Sequence, residues 1–181
     1  MLRKRVSGII GCAIAVLAGC SGVQPQDYEG EQPAFRIEDF FAGETKAWGL
    51  FQGRSGEVKR RFTVTIDGYR DGDVFVLEEQ FQYADGATDN RVWRIKQTGE
   101  HRYRGRADDV VGVAEGQRYG NALNWRYQLR LDVDGTTYEL NFDDWMYQID
   151  DSVMINRATV TKYGFQVGEV TLFFQRQGAT P

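Results

Sequence analysis

Glu79, Asp144 and Arg157 are charged residues standing on rows of side chains that otherwise read as the apolar half of an alternating pattern. A charge on such a row needs a partner, because burying it alone is prohibitively costly. Trp125 belongs with them, since a buried indole N–H seeks an acceptor. Such a set can fix strand register, or it can hold the polar end of a ligand, with Arg157 gripping a carboxylate or head group. A catalytic set is harder to assemble, and no catalytic residue is expected. His101 is the single histidine, so a Ser-His-Asp arrangement would have to use it. It stands in the polar stretch Glu100-His101-Arg102 and reads as a surface residue. The acidic pairs Asp108-Asp109, Asp143-Asp144 and Asp150-Asp151 lack calcium-loop spacing and read as turns or solvated faces. Gly112, Gly116 and Gly120 follow no phosphate-loop pattern and suggest a mobile loop or bulged strand at a barrel mouth. No cofactor or metal is expected.

The elements that must position these residues are strands. Arg36–Phe41 reads as one short helix, with Ile37, Phe40 and Phe41 on one side. Beyond it the apolar residues recur at every second position between Gly and Asp turns. Phe62, Val64 and Ile66 share a face, as do Phe75, Leu77, Phe81 and Tyr83. Trp125, Tyr127, Leu129, Leu131 and Val133 alternate with Arg126, Gln128, Arg130 and Asp132. Further strands are expected at 46–52, 90–96, 101–106 and 167–175. A two-residue Asp85-Gly86 turn would put Arg94 inside in place of Trp93 and Ile95, so an odd-length loop or a bulge is expected there. The fold class is all-β: an antiparallel, up-and-down, lipocalin-like barrel of eight to ten strands with a short N-terminal helix. Closure removes exposed sheet edges. A two-sheet sandwich is the alternative.

Two hairpins give registers. Asp134-Gly135 is a two-residue turn signal. It pairs Val133 with Thr136, Leu131 with Tyr138, Leu129 with Leu140, Tyr127 with Phe142 and Trp125 with Asp144. Asp150-Asp151 marks the next turn. A loop of two or four residues there sets Met146 opposite Ile155, Asp144 opposite Arg157 and Phe142 opposite Thr159. Directly opposed residues have Cβ atoms about 5 Å apart. The expectation is a Trp125–Asp144–Arg157 row across three strands, with Glu79 left open as a fourth member, and a cavity lined by Tyr127, Leu129, Phe142 and Met146.

The 181 residues are 13% aromatic, with 21 Gly and 3 Pro, enough to bury a core without disulfides. Arg3, Lys4 and Arg5 lie in the first 19 residues; the remainder carries 19 basic against 26 acidic residues, a formal −7. No basic stripe survives, so a nucleic-acid surface is excluded.

The first 19 residues read as a signal peptide. A positive start precedes the apolar run Val6–Leu17, which is too short to span a hydrocarbon core of about 30 Å. Leu17-Ala18-Gly19-Cys20 resembles the bacterial lipobox. That resemblance implies diacylglycerol on the Cys20 thiol, cleavage before it and N-acylation by a chain such as palmitate. Ser21, rather than Asp, after the cysteine implies the periplasmic face of a Gram-negative outer membrane. Residues 20–34 read as a lipidated flexible tether, able to reach about 45 Å at about 3.3 Å per residue, and 35–177 as the barrel domain. Cys20 would be the sole cysteine after cleavage, so neither a disulfide nor a Cys-based metal site can form.

Arg60-Arg61-Phe62, Arg91-Val92-Trp93, the run from Gly105 to Gly112 (Gly-Arg-Ala-Asp-Asp-Val-Val-Gly), Gly120-Asn121-Ala122, Phe142-Asp143-Asp144-Trp145-Met146 and Lys162-Tyr163-Gly164 resemble the uncharacterised bacterial lipoprotein family known as domain of unknown function 3833, over roughly residues 35–176. The family has no established activity and carries no catalytic residues over. Its members accompany genes for fatty-acid-modifying enzymes of the cyclopropane synthase type, which implies a lipid-related role. Three functions stay open: a membrane-anchored periplasmic barrel binding a small apolar or lipid-like ligand, such as a fatty-acyl chain; a structural or interaction lipoprotein with a filled core; and an enzyme acting on envelope lipids.

Overall fold

The computed structural model describes residues 22–133 and 135–178. The signal segment, Cys20 and Asp134 lie outside the described residues. Ten strands follow one short helix, α1 (Ile37–Phe40): β1 (Gly43–Gly53), β2 (Val58–Asp71), β3 (Val74–Tyr83), β4 (Thr88–Gly99), β5 (Arg102–Arg106), β6 (Ala114–Tyr119), β7 (Ala122–Val133), β8 (Thr136–Gln148), β9 (Val153–Lys162) and β10 (Phe165–Arg176). Each strand pairs antiparallel with its chain neighbours, and β1 pairs with β10 from Thr45↔Arg176 to Gly53↔Gly168. The sheet is therefore an up-and-down barrel with no free edge, not a sandwich. Period-2 patterning produces it directly: Val64 and Ile66, Leu77, Trp93 and Ile95, and Trp125 and Leu129 are buried on the inner face.

The two ends of the barrel differ. α1 and its flanks close one end, where Phe35, Ile37, Phe40 and Phe41 are all buried. Phe41 meets Phe174 of β10 edge-on, with ring centroids 5.7 Å apart, and Tyr103 of β5 donates a hydrogen bond to Glu38 at 3.0 Å. The other end is ringed by the loops 54–57, 84–87, 107–113 and 163–164 and by Gly135. Of the glycines expected at a mouth, Gly112 lies in the 107–113 loop there, Gly116 lies within β6, and Gly120 lies in the turn after β6 at the closed end.

The β7–β8 hairpin has the expected register, from Val133↔Thr136 through Trp125↔Asp144. The β3–β4 loop is odd in length. Tyr83 and Ala87 are joined by a hydrogen bond from the Tyr83 N–H at 2.9 Å, leaving Ala84, Asp85 and Gly86 between them. Gly86 takes φ +89°, the left-handed residue that a three-residue hairpin needs. This loop keeps Trp93 and Ile95 inside and Arg94 outside.

The β8–β9 register differs from expectation by one residue. Asp150, Asp151 and Ser152 form a three-residue loop closed by Ile149 N–H to Val153 C=O at 2.9 Å. Asp150 Oδ1 organises it by accepting from the Ser152 N–H at 2.7 Å, the Ser152 hydroxyl at 2.9 Å and the Val153 N–H at 2.8 Å. A two- or four-residue loop would give one parity and three residues give the other, which exchanges the faces of β9. Asp144 lies opposite Ala158, Met146 opposite Asn156 and Phe142 opposite Val160. Met154, Asn156, Ala158 and Val160 are buried.

The segment expected as a free tether is docked along much of its length. Pro25–Tyr28 forms a 3-10 turn with Pro25 buried. Tyr28 packs against Trp145 and Tyr147 at 6.0 and 5.3 Å, and the Phe35 N–H donates to the Gly120 carbonyl at 2.8 Å.

Candidate functional site

The barrel encloses a chamber of about 910 Å³ whose floor includes Ile37 and Phe41. Its wall is mostly apolar. The structure places Tyr127, Leu129, Phe142 and Met146 on it, together with Phe81 and Trp93. Tyr127 and Phe142 stack at 5.2 Å with planes 6° apart, as their cross-strand pairing dictates. Trp93 stands edge-on to both Trp125 at 5.6 Å and Tyr127 at 5.4 Å.

Two polar groups interrupt this wall. The first is Tyr127–Asp144–Asn156, carried by β7, β8 and β9. The Tyr127 hydroxyl donates to Asp144 Oδ2 at 3.1 Å, and Asn156 Nδ2 donates to the same oxygen at 3.4 Å. Trp125 is level with Asp144, yet the phenol supplies the hydrogen bond. Trp125 instead lies flat over β5 and β6, where Gly105 and Gly116 leave room for its ring. Burial pushes the Asp144 carboxyl up to about 7, against the lowering effect of Tyr127 and Asn156. Burial first, and then Asp144, hold the Tyr127 hydroxyl well above its ordinary range.

The second group is Glu79–Arg91–Asp109. Glu79 on β3 and Arg91 on β4 are cross-strand partners, and Asp109 comes from the 107–113 loop. Arg91 grips Asp109 in a fork, with Nε to Oδ2 at 2.9 Å, Nε to Oδ1 at 3.1 Å and Nη2 to Oδ2 at 2.7 Å. Such forked pairs are geometrically specific and charge-assisted. Glu79 Oε2 lies 3.6 Å from Arg91 Nη1, outside hydrogen-bond range, with both side chains largely buried. Burial pushes Glu79 up to about 7, against the pull of Arg91. Burial would lower Arg91, but Glu79 and Asp109 outweigh it and raise it on balance. The 107–113 loop is held over β7 by Arg130 N–H to Asp109 C=O and Val111 N–H to Gln128 C=O, both 2.8 Å.

Arg157 is not in this chamber. It points outward, its side chain 68% exposed, and pairs with Glu169 through Nε at 2.5 Å and Nη2 at 2.8 Å. The expected Trp125–Asp144–Arg157 row is therefore corrected to Tyr127–Asp144–Asn156, and the interior cation is Arg91. Arg91 has the same strand parity as Trp93 and Ile95, so a signal for it was present. Asp109, expected at a solvated turn, carried no periodic signal because it lies in a loop. His101 stacks on Tyr119 at 4.2 Å away from the chamber. Among the described residues no group of three or more His, Cys, Asp or Glu is placed to hold a metal, and none of their helices is long and apolar enough to cross a membrane.

The S-type phycobiliprotein lyase CPES from Guillardia theta superposes with a TM-score of 0.59 at 10% identity, over 87% of this chain and 100% of that one. A protein with unknown function from the DUF3598 family, from Nostoc punctiforme, superposes with a TM-score of 0.55 at 13% identity, over 81% of this chain and 51% of that one. At these identities the likeness is one of fold. No curated protein matches the chain. The model of the family described as Protein of unknown function (DUF3833) matches residues 14–176, and the chain belongs to that family.

Proposed function

We propose that the protein is a lipoprotein anchored to the periplasmic face of the outer membrane through Cys20, and that its barrel binds a small apolar or lipid-like ligand. The observation that carries the reading is the chamber of about 910 Å³. It lies at the upper end of the range for small-molecule sites and has the usual make-up of an apolar wall with few polar groups. A barrel packed solid with its own aromatics would leave no such space. The phycobiliprotein lyase shows that a barrel of similar fold can support a dedicated biochemical task.

The lipobox-like Leu17-Ala18-Gly19-Cys20 supports the anchoring half. Because Pro25 is docked, Cys20 is five residues from the docked chain, a span of at most about 17 Å at about 3.3 Å per residue. The barrel then stays close to the bilayer surface instead of standing far from it.

Native mass spectrometry of the full-length protein from a Gram-negative envelope tests the ligand. An apolar molecule of a few hundred daltons should accompany the chain, and a chain that binds neither it nor added amphiphiles overturns the reading. Labelled palmitate tests the anchor: the label should enter the wild type and not Cys20→Ser, and an unlabelled wild type overturns it.

A further inference from the structure

The rim of the mouth carries apolar side chains that the fold does not use. At the β9–β10 tip Tyr163 is 85% exposed and Phe165 72%. Val58, beside the neighbouring β1–β2 tip, is exposed as well. Single exposed apolar residues are common, but Tyr163 is placed at a cost. It has φ +51° ahead of Gly164 at +82°, the two left-handed positions of a two-residue hairpin turn. Asn, Asp or Gly takes the first of these readily, whereas a bulky side chain there is an outlier. Exposure returns no packing for that strain. The Lys162 ammonium lies 4.0 Å from the Tyr138 ring centroid and 5.3 Å from that of Tyr163. Aromatic rings with a lysine among them suit a surface that rests in the headgroup zone of a bilayer.

The N-terminal segment is a second, independent observation. Phe35 and Tyr28 dock at the closed end, against Gly120 and against Trp145 and Tyr147. Gln24 and Pro25 lie farther up the outer wall, in a groove shared with Arg126, Asp143, Asn141 and Thr161. Asn141 and Thr161 are cross-strand partners in the mouth half of the barrel. Followed back from Phe35 to Gln24, the chain therefore climbs from the closed end towards the mouth. An anchor at Cys20, at most about 17 Å from Pro25 at about 3.3 Å per residue, continues that direction. Anchoring beneath the closed end would require the chain to reverse it.

We propose that the barrel stands mouth-down on the bilayer, with Tyr163 and Phe165 seated among the lipid headgroups and the chamber opening onto the membrane. The inference rests on the Cys20 anchor proposed above. The chamber runs out to this rim, where Lys59, Asp89, Asp108 and Asp132 border it, so an apolar ligand passes between bilayer and barrel without crossing water. Charge does not supply the attraction. The rim is mixed in sign, and beyond residue 19 the chain has 19 basic against 26 acidic residues, so the contact is apolar and nearly indifferent to salt. A second apolar row, Trp48, Phe173 and Ile155, crosses β1, β10 and β9 in register on the outer wall. Its rings cover one another, with Trp48 and Phe173 centroids 5.9 Å apart, and each residue is more than half buried.

The experiment uses the full-length lipoprotein in vesicles of phosphatidylethanolamine and phosphatidylglycerol. Lipidation consumes the Cys20 thiol, so a cysteine added by Gln166→Cys at the mouth, or by Asp151→Cys at the closed end, takes a thiol-reactive fluorophore alone. Lipids with a nitroxide near the headgroup should quench the label at 166 and leave the label at 151 bright. Adding Tyr163→Asn and Phe165→Ser should lower the ratio of docked to undocked mouths about tenfold or more, the scale of burying one large apolar side chain. Asn suits the left-handed turn position, so the fold is kept, and dodecanol adducts in native mass spectra should match those of the wild type. A vesicle-bound protein whose label at 166 stays bright overturns the orientation and leaves the anchor standing. Quenching at 151 overturns it too, by laying the barrel on its closed end or on the Trp48 row. Quenching at 166 that survives the double change overturns the assignment to Tyr163 and Phe165. A label at 166 shielded in native envelope membranes but not in lipid vesicles overturns the bilayer contact in favour of a protein partner. A wild-type chain that takes the fluorophore on Cys20 and leaves the vesicles overturns both the anchor and the orientation.

Discussion

Asp144 and Arg157 sit on adjacent strands and project to opposite faces of one sheet: Asp144 is level with Ala158 and faces the chamber, whereas Arg157 is level with Trp145 and faces solvent. The relationship is set at a distance, by the three-residue loop that Asp150 organises. It turns Arg157 out to solvent and leaves the Asp144 carboxyl hydrogen-bonded by the neutral donors Tyr127 and Asn156.

Arg157→Met should therefore leave ligand binding unchanged. Arg157 contacts no chamber residue, and its pair with Glu169 is largely exposed on the arginine side. Exposed pairs are worth about 0–1 kcal/mol, so urea denaturation should show a loss within that range. Loss of dodecanol adducts in this variant would place Arg157 back at the site.

The protein should grow more stable as pH falls from 8 to 5, the reverse of ordinary acid behaviour. Glu79 and Asp144 rise from ordinary values of 4.5 and 3.8 to about 7 in the fold. Between about pH 4 and 7 the folded state holds protons that the unfolded chain has released. Stability is thus fully present below the ordinary values and is lost as pH rises through about 7, by up to about 1.4 kcal/mol per pH unit for each group. Glu57, Asp73 and Asp150 are lowered in the fold and lose their contribution only below about pH 4, outside this window. Thermal melts should show Tm climbing towards pH 5 in the wild type and a flatter profile in Glu79→Gln, Asp144→Asn. A wild-type Tm that falls over that interval refutes the assignment.

The barrel was legible because alternation and turn chemistry agree along most of the chain. Asp134-Gly135 and the five alternating apolar residues of β7 fixed one hairpin to the residue. β9 misleads because Ile155, Arg157 and Thr159 face inward only if the loop before them has an even length. Its other parity, Met154, Asn156, Ala158 and Val160, makes the better inner face. The Asp150–Ser152 sequence is an Asx-type signal for the tighter geometry. Arg91 follows from the parity of Trp93. Asp109 and the docking of Tyr28 do not follow from any periodicity, because they join loop and tail residues to distant strands, and only the closed fold brings those together.

Gly116→Ala should destabilise the barrel by about 1–3 kcal/mol, the usual penalty for overpacking. A methyl group there would lie 2.4 Å from Trp125 Cε3 and 2.7 Å from Cζ3. The indole has Gly105 on its other contact, where a methyl would lie 2.6 Å from Cζ2. It must therefore tilt into the chamber. Near-ultraviolet circular dichroism should change with the loss of the Trp93–Trp125 edge contact. Unchanged spectra and stability would show that the slot is loose.

Asp109→Leu should cost up to about 3 kcal/mol, because it leaves the largely buried Arg91 with Glu79 alone, at 3.6 Å. Arg91→Met with Asp109→Leu should recover much of that loss, as apolar replacement of a whole buried pair generally does. Urea denaturation of Asp109→Leu, Arg91→Met and the double variant measures the coupling. Hydrogen exchange should also quicken at the Val111 and Arg130 amides, which tie the loop to β7. Additive single losses with no recovery would remove the pair from any structural role.

Gly120→Ala should release the N-terminal segment without unfolding the barrel. Gly120 has φ +49°, and a Cβ there would lie 1.9 Å from the Tyr28 carbonyl oxygen and 2.9 Å from the Glu31 nitrogen. These neighbours are backbone and cannot rotate aside, so the tail must lift. The contacts it forfeits, Tyr28 with Trp145 and Tyr147, lie on the outer wall and contribute nothing to barrel closure. Limited proteolysis should cut the variant between Tyr28 and Ala34 much faster than the wild type, while dodecanol binding is retained. In the anchored protein the same change lengthens the free reach from about 17 Å towards about 45 Å at about 3.3 Å per residue. A wild-type tail cleaved as fast as the variant's would show that the docking seen beneath β6 and β7 does not hold in solution.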